Sequence, residues 1–242
     1  ADLKSSSVKI YIVNDDSLNA FVAGGQKIFI NTGLILRSDS ANQIIGVIAH
    51  ETGHISGGHL SRVNNLLSKS STSSILGAII GGAAVIATGR GDIGAAILTT
   101  GQTMAKQNVL AYSRTQEGAA DHAALRFLEN TRQSARGLMR FMRILENQDL
   151  LSVSQQDPYA RSHPLSRDRI TAIEHHIANS QFSDTDDTEQ AKASYSRIKA
   201  KLFAYLRPYK KTLQAYPETN KSMVARYARA IAEFRNSNLD KA

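Results

Sequence analysis

Short apolar runs separated by polar and turn residues fill residues 8–36, which is the pattern expected of short β-strands. The run VKIYIV is rich in β-branched residues, and AFVAGGQKIFIN predicts two short strands joined at a turn made by Gly24 and Gly25. The pattern therefore predicts a small antiparallel sheet near the N-terminal end of the chain.

From Ser40 onward the pattern changes to that of an amphipathic helix. Ser40 followed three residues later by Gln43 is typical of a helix N-terminus, and the run IIGVIAH continues the apolar face. Further helix starts are predicted at Ser113, Ser134 and Pro164. The sequence therefore predicts an α+β protein that is mostly α-helical.

A polar, acidic stretch divides the chain into two regions. SQFSDTDDTEQ, residues 180–190, predicts a linker between a unit of residues 1–180 and a helical extension of residues 191–242. The final YARAIAEFRNSNLDKA resembles the first helix and turn of a tetratricopeptide-type repeat. We therefore expect the extension to begin a repeat region.

Residues 66–110 are rich in Ala, Gly and Ile. The runs SILGAIIGGAAVIATG and DIGAAILTTGQTMA are separated by Arg90 and Asp92, and neither reaches the roughly 18–20 apolar residues that span a bilayer. Two interpretations stand. The stretch is either a buried helical hairpin or a mobile apolar flap that covers a cleft or touches a membrane.

The composition limits the kinds of site that the chain can build. Cysteine is absent from the 242 residues, so a transition metal has to be held by His, Asp and Glu. The net charge of +8 fits a soluble basic surface or contact with an anionic membrane surface. Scattered Lys and Arg residues and the absence of Trp give no support to nucleic-acid binding. No signal peptide is expected in this chain, because the initial ADLKSSSVKI lacks an apolar core.

The main chemical motif lies in VIAHETGHISGGHLSR, residues 47–62. Positions i and i+4 share one helix face, so His50 and His54 can direct two imidazoles at one metal ion. Glu51 is rotated about 100° from His50, which places its carboxylate beside the ion, where it can take a proton from a metal-activated water. Gly53 leaves room for a second backbone to approach. The motif therefore predicts the metal-binding helix of a zinc hydrolase.

A catalytic zinc site of this kind needs a third protein ligand. His59 stands one residue too early for the longer zincin motif, which would need a histidine in place of Leu60, so we expect His59 at the surface or behind a ligand. Downstream, SRTQEGAADHAA places Glu117 and Asp121 four residues apart on one helix face. Glu117 can supply the third ligand, and Asp121 can accept the second ring N–H of a zinc-bound histidine.

Three blocks of the sequence together resemble a known family. HETGH, SRTQEGAAD and SHP occur in the order typical of the HtpX/Oma-type gluzincin metallopeptidases, and NAFVAGGQKIFINTGLI is similar to that family's N-terminal block. The resemblance, over about residues 8–178, implies a zincin-type peptidase fold. With its helical extension, the chain is most similar to the periplasmic β-barrel assembly-enhancing protease (BepA) subgroup. The resemblance implies one zinc ion per chain, ligands His50, His54 and Glu117, general base Glu51, and Asp121 behind a ligand.

The resemblance also implies what the protein acts on. Members of that subgroup serve outer-membrane protein quality control, so we expect misfolded or unassembled polypeptide substrates, a periplasmic location and contact with the outer-membrane assembly machinery. A substrate strand would add to the edge of the sheet near residues 19–23. A chaperone or assembly factor that acts mainly by binding clients is the alternative, which the repeat-like tail favours. The intact Glu51 favours an endopeptidase.

The SHP block contributes His163, whose role the sequence leaves open. His163 precedes Pro164 and is expected at a helix start, with Arg169 six residues on. It either donates a hydrogen bond to the oxyanion of the scissile carbonyl, with Arg169 adding positive charge, or binds the zinc as a fourth ligand in a resting enzyme. A capping histidine without chemistry is a further interpretation. We favour the fourth ligand, because a protease of unfolded chains benefits from a default inactive state.

Overall fold

The computed structural model of the protein describes residues 7–59, 103–146, 148, 151–152 and 155–238. Within these ranges nine helices and three strands follow one another, which confirms the predicted α+β class and its mostly helical content. None of the helices in this part of the chain is both long enough and apolar enough to cross a bilayer.

Three strands form the N-terminal sheet, in the spatial order β1-β3-β2. β2 (Ala20–Ala23) and β3 (Lys27–Asn31) make the expected antiparallel hairpin, and Gly24 and Gly25 at its turn have φ angles of 57° and 92°. β1 (Lys9–Val13) pairs parallel to β3, so the sheet is mixed rather than wholly antiparallel. The pairing of strands that are not adjacent in sequence is invisible to local alternation.

Two helices follow the sheet, and the second carries the HETGH motif. They are α1 (Thr32–Arg37) and α2 (Ala41–Ser56). The predicted start of α2 is confirmed, because the Ser40 side chain accepts a hydrogen bond from the Gln43 N–H at 3.3 Å. The Gln43 side chain in turn accepts from the backbone N–H of Asp39 at 2.5 Å. These contacts satisfy backbone donors that a helix N-terminus leaves unpaired.

The next helix, α3 (Thr103–Asn130), begins well before the predicted start at Ser113. Ser113 lies inside α3, so that prediction was wrong. The preceding TMAKQNVLAY contains good helix formers and neither Gly nor Pro, so the helix extends through it. Residues 66–102 lie outside the described ranges, and neither interpretation of that apolar stretch is tested.

Three shorter helices complete the first unit. The first is capped by Ser134 as predicted, because its Oγ accepts a hydrogen bond from the backbone N–H two residues on at 3.1 Å. The third begins after Ser166 and not at Pro164, so the predicted start at Pro164 was wrong. Proline keeps the preceding residue out of the helical region, and serine is a strong N-cap. The three are α4 (Arg136–Glu146), α5 (Pro158–Ser162) and α6 (Arg167–Asn179).

The core lies between one face of the sheet and the helices that follow it. Ile28 and Ile30 of β3 are buried there together with Val47 of α2, and each such side chain contributes about 1.5–3 kcal/mol by leaving water. Gly46 lets α2 lie directly on α4, since a Cβ at Gly46 would stand 2.8 Å from the backbone of Leu138. This packing holds the motif helix in a fixed position.

The tail is helical as predicted and packs against the first unit. The Tyr195 hydroxyl donates to the carbonyl oxygens of Ile35 and Ser38 at 3.0 and 2.6 Å, and Lys199 Nζ donates to Ser38 at 2.6 Å. The division into two domains and the likeness to a tetratricopeptide repeat stay predictions. The tail helices are α7 (Glu189–Leu206), α8 (Tyr209–Ala215) and α9 (Met223–Arg235).

Candidate active site

α2 and α3 cross closely at the point where both carry the predicted site residues. Gly53 makes this crossing possible, because a Cβ there would lie 2.5 Å from the carbonyl oxygen of Ala120. The space that the sequence predicted at Gly53 is therefore used by the α3 backbone. As a result, His50 and His54 of α2 lie opposite Glu117 of α3.

Four side chains direct ligand atoms at a common point. His50 Nε2 lies 3.0 Å from His54 Nε2 and 3.3 Å from Glu117 Oε2, and His54 Nε2 lies 3.4 Å from Glu117 Oε1. His163 Nδ1 lies 3.1 Å from Glu117 Oε2 and 3.4 Å from His50 Nε2. One ligand atom of each residue is within 4.8 Å of every other. The structure thus brings together the three predicted ligands and His163.

This donor set fits a tetrahedral zinc ion. Zinc–nitrogen bonds of about 2.0–2.1 Å place neighbouring ligand atoms about 3.3 Å apart, and the separations of His50 Nε2 from the nearest ligand atoms of His54, Glu117 and His163 run from 3.0 to 3.4 Å. The Nδ1 of His50 lies 2.8 Å from Asp121 Oδ1, so a neutral His50 ring donates its Nδ1–H to Asp121 and presents the Nε2 lone pair to the common point. A lone pair that faces a second ring nitrogen and a carboxylate requires a cation or protons between them.

Glu51 is buried beside the ligand group, with its own partners. The Tyr159 hydroxyl donates to Glu51 Oε1 at 3.2 Å, and His163 Nε2 lies 3.6 Å from the same oxygen. The fully buried Tyr159 ring stacks on the His163 ring, with centroids 4.3 Å apart. Burial, and then the charge of Glu51, raises the pKa of Tyr159 well above its ordinary value, so its hydroxyl remains a donor. No pattern in the sequence predicted a role for Tyr159.

His163 ends a helix instead of beginning one, contrary to the prediction. Its backbone N–H donates to the carbonyl oxygen of Tyr159 at 2.8 Å, which closes the last turn of α5. The φ and ψ angles of His163 are −124° and 69°, outside the helical region from which Pro164 excludes it. The chain therefore leaves α5 at His163, and the His163 side chain lies in the ligand group.

Comparison with known proteins identifies the family. The sequence profile of peptidase family M48 matches residues 1–177, well over half of the chain. This chain belongs to peptidase family M48. The predicted family and its peptidase class are therefore confirmed.

Relatives of this M48 chain cover different shares of its length. It is 26% identical over 160 residues to the β-barrel assembly-enhancing protease of Escherichia coli (strain K12), which covers 66% of this chain and 32% of that protein. It is 30% identical over 199 residues to a protease HtpX homolog of Acidiphilium cryptum, covering 69% of this chain and 67% of the relative. The chain spans about a third of the length of the β-barrel assembly-enhancing relatives that it matches.

Arg169 lies behind the ligand group of the M48 site. Its Nε and Nη2 donate to the two carboxylate oxygens of Asp121 at 2.6 and 3.0 Å, and its Nη1 lies 3.1 Å from Glu117 Oε2. The same Nη1 donates to the carbonyl oxygen of Pro164 at 2.9 Å. One buried guanidinium therefore joins α3 to the segment that follows His163. This geometry favours a positioning role, and the predicted contribution to the oxyanion is not tested.

His59 is not part of the ligand group, as the sequence spacing predicted. It is buried rather than at the surface, and its Nδ1 lies 3.0 Å from Nδ1 of His54. Of the two expected places, the structure therefore favours the one behind a ligand. His59 contacts the Nδ1 of His54, whose Nε2 faces the common point. Asp121 contacts the Nδ1 of His50 in the same way.

Burial and charge determine how protons are distributed in the M48 site when no metal is bound. Burial lowers the pKa of His50, but Asp121 and Glu117 outweigh it and raise that pKa to about 9. Burial lowers the pKa of His54 well below its ordinary value, and the charge of His50 lowers it further. Burial raises the pKa of Glu117, yet His163 and His50 outweigh burial and hold it well below its ordinary value. The metal-free site therefore holds a protonated His50 beside an ionised Glu117 at neutral pH.

Proposed function

We propose that this M48 peptidase is a zinc-dependent endopeptidase that hydrolyses misfolded or unassembled polypeptides. One observation carries the proposal: four ligand atoms of His50, His54, Glu117 and His163 meet at one point, with the Glu51 carboxylate beside them. Three imidazoles and one carboxylate form a donor set that suits zinc. When bound, zinc polarises the scissile carbonyl and lowers the pKa of water towards about 7.

Glu51 is the general base in this proposal. Its carboxylate takes a proton from the attacking water and passes it to the leaving amine of the cleaved peptide bond. The Tyr159 hydroxyl supports this role by donating to Glu51 Oε1 at 3.2 Å, which fixes the orientation of the carboxylate. A protein that only binds its clients has no need of a buried, oriented carboxylate beside a metal site, so this contact favours an endopeptidase over a chaperone.

His163 belongs to a resting state in this proposal, with its Nδ1 as a fourth metal ligand. Its separations of 3.1 Å from Glu117 Oε2 and 3.4 Å from His50 Nε2 match those among the other three ligands. A fourth protein ligand takes the position that a catalytic zinc site keeps open for water or substrate. Hydrolysis then requires the His163 side chain to leave this position.

The edge of β2 supports an extended polypeptide as the substrate. β2 pairs with β3 on one side only, so within the described residues its other edge is open to an added strand. β2 also packs against α2, so a strand added there would run beside the helix that carries Glu51. Backbone pairing of this kind requires an extended segment, which unfolded proteins supply and compact proteins do not.

The compartment and the partners are proposed from the relatives. Because the Escherichia coli relative is named for β-barrel assembly, we place this chain in the periplasm, with unassembled outer-membrane proteins as substrates. The outer-membrane assembly machinery is the proposed partner. The described residues of this chain contribute no independent argument for either assignment.

Replacement of Glu51 by Gln tests the proposal in a casein-cleavage assay with metal analysis. We expect the variant to retain zinc and to cleave at least about 100-fold more slowly, since an amide cannot act as the base. Glu146→Gln, at an exposed position of α4, is the matched control and should cleave like the wild type. A chelator should abolish wild-type cleavage, and added zinc should restore it.

Two results would reject the endopeptidase. One is wild-type cleavage by Glu51→Gln, and the other is cleavage that survives complete removal of zinc. If the wild type fails to cleave but suppresses the aggregation of a denatured client, and Glu51→Gln suppresses it equally, the chaperone alternative holds.

A further inference from the structure

The net positive charge of the chain lies entirely in its tail. Residues 1–188 contain 17 Lys and Arg and 17 Asp and Glu, whereas residues 189–242 contain 12 and 4. The net charge of +8 therefore belongs to the second range, which begins with the first residue of α7. A charge asymmetry of this size between two parts of a chain indicates a partner of opposite charge.

Several of the tail's cations are exposed and form no ion pair within the described part of the chain. Others are used internally: Lys199 donates to the carbonyl oxygen of Ser38, and Arg207 pairs with Asp16 at 2.6 Å. Six such exposed cations are Arg197, Lys201, Lys210, Lys211, Lys221 and Arg226.

Apolar side chains lie among these cations on α7. Arg197, Lys201 and Tyr205 are spaced at i, i+4 and i+8, and Ile198 lies beside them, so the four share one outward face. Ile198 is 50% exposed and Tyr205 is 44% exposed. A different face of α7, which includes Ala200, is buried against α9. We name the four outward residues the α7 basic face.

We propose that the α7 basic face, together with Lys210 and Lys211 of α8, binds the surface of a membrane that contains anionic phospholipids. Each Lys or Arg near such a surface strengthens binding about fivefold, equivalent to about 1 kcal/mol. Exposed isoleucine and tyrosine side chains enter the interfacial layer beneath the headgroups, which adds binding that salt does not screen. The proposal concerns where the protein is held and does not depend on its peptidase activity.

The arrangement favours a lipid surface over an acidic macromolecule. Three of the four proposed cations are lysines, which act as point charges and suit diffuse headgroup charge better than the paired geometry that arginine recognises. A nucleic acid would meet these cations with its phosphates but offers no apolar phase to the neighbouring Ile198. A bilayer interface accommodates both kinds of side chain at once.

Co-sedimentation of the whole chain with vesicles tests the proposal. We expect binding to vesicles of phosphatidylcholine with a minor fraction of phosphatidylglycerol, weakened by salt, and little binding to phosphatidylcholine alone. Neutralising the four cations should lower the partition coefficient about 100-fold or more. Serine in place of both Ile198 and Tyr205 should weaken the binding that persists at high salt. The four-residue variant is Arg197→Gln, Lys201→Gln, Lys210→Gln, Lys211→Gln.

A control variant separates the position of the charges from their number. It loses four exposed arginines from residues 1–188, which are electroneutral in the wild type. Its net charge therefore equals that of the tail variant, and it should bind vesicles within about threefold of the wild type. An equal loss in both variants would overturn the assignment to this face, as would equal wild-type binding to both vesicle types. Binding to polyglutamate or a DNA duplex without binding to vesicles would replace the membrane by an acidic macromolecule. The control substitutions are Arg126→Gln, Arg132→Gln, Arg143→Gln and Arg167→Gln.

Discussion

Replacing Asp121 by Asn perturbs the contact that, in our proposal, orients His50 for metal binding. Asp121 Oδ1 accepts from His50 Nδ1 at 2.8 Å and from Arg169 Nη2 at 3.0 Å, and Oδ2 accepts from Arg169 Nε at 2.6 Å. An asparagine amide has one acceptor oxygen, so its N–H₂ group has to face a donor of either His50 or Arg169. The substitution therefore keeps the shape of the side chain but breaks at least one buried, charge-assisted hydrogen bond.

Two effects of different size are expected from Asp121→Asn. A misoriented His50 should weaken zinc binding by about 10–100-fold, which corresponds to about 1.4–2.8 kcal/mol. Loss of the carboxylate that pairs with a buried guanidinium costs about 3–5 kcal/mol of unfolding free energy. We expect the lower end of this range, because Glu117 Oε2 still lies 3.1 Å from Arg169 Nη1.

The two effects need two assays. Competition with a chromophoric chelator measures the zinc dissociation constant, and urea unfolding of the zinc-free protein measures the unfolding free energy. Asp168→Asn, at an exposed position in the first turn of α6, is the matched control and should change the unfolding free energy by at most about 0.5 kcal/mol. Zinc binding by Asp121→Asn within about twofold of the wild type would refute the claim that Asp121 orients His50.

Other side chains of the site give four more expected outcomes. Glu117→Ala should lose zinc on metal analysis while His59→Ala retains it, and the reverse result would exchange their roles. Tyr159→Phe should keep zinc and lower kcat/KM for casein about 10-fold by loosening the general base; an unchanged value would remove Tyr159 from the mechanism. His163→Ala should raise proteolysis if His163 is a fourth ligand, or lower turnover about 100-fold if it stabilises the oxyanion, and unchanged activity would contradict both. Zinc affinity should rise with pH up to about 9, because His50, whose pKa is raised to about 9 without metal, has to lose a proton to bind; calorimetry that detects no proton release at neutral pH would contradict this.

Much of the candidate site is encoded in short-range spacing. The i and i+4 pairs on two helices pointed to His50, His54 and Glu117, and Gly53 marked where the helices approach. Tyr159 escaped notice because an aromatic residue in an apolar position has the same signature in any core. Its role depends on a contact with Glu51, 108 residues away in sequence, which no local pattern contains.

Features that depend on distant pairing or competing local signals were harder to predict. The parallel pairing of β1 with β3 links strands that a third strand separates in sequence. Ser113 has a capping signature, but the residues on its N-terminal side are good helix formers. The helix therefore continues through Ser113 and begins at Thr103. The charge asymmetry can be counted from the sequence alone, without knowledge of any contact. The count shows it only when the chain is divided at the residue where α7 begins.

The balance of buried charges connects the metal to the protons of the site. Glu51, Glu117 and Asp121 are 1%, 3% and 1% exposed, and Arg169, at 3%, is the buried cation that faces two of them. The formal charges of these four side chains sum to −2, so two further positive charges are needed to balance them. Buried charges that stay unpaired are strongly destabilising. A divalent cation removes this deficit with neutral imidazoles, whereas the metal-free protein relies on protons, such as the one that the raised pKa of His50 retains. In the proposed zinc enzyme, metal and protons would therefore compete for the same negative charge.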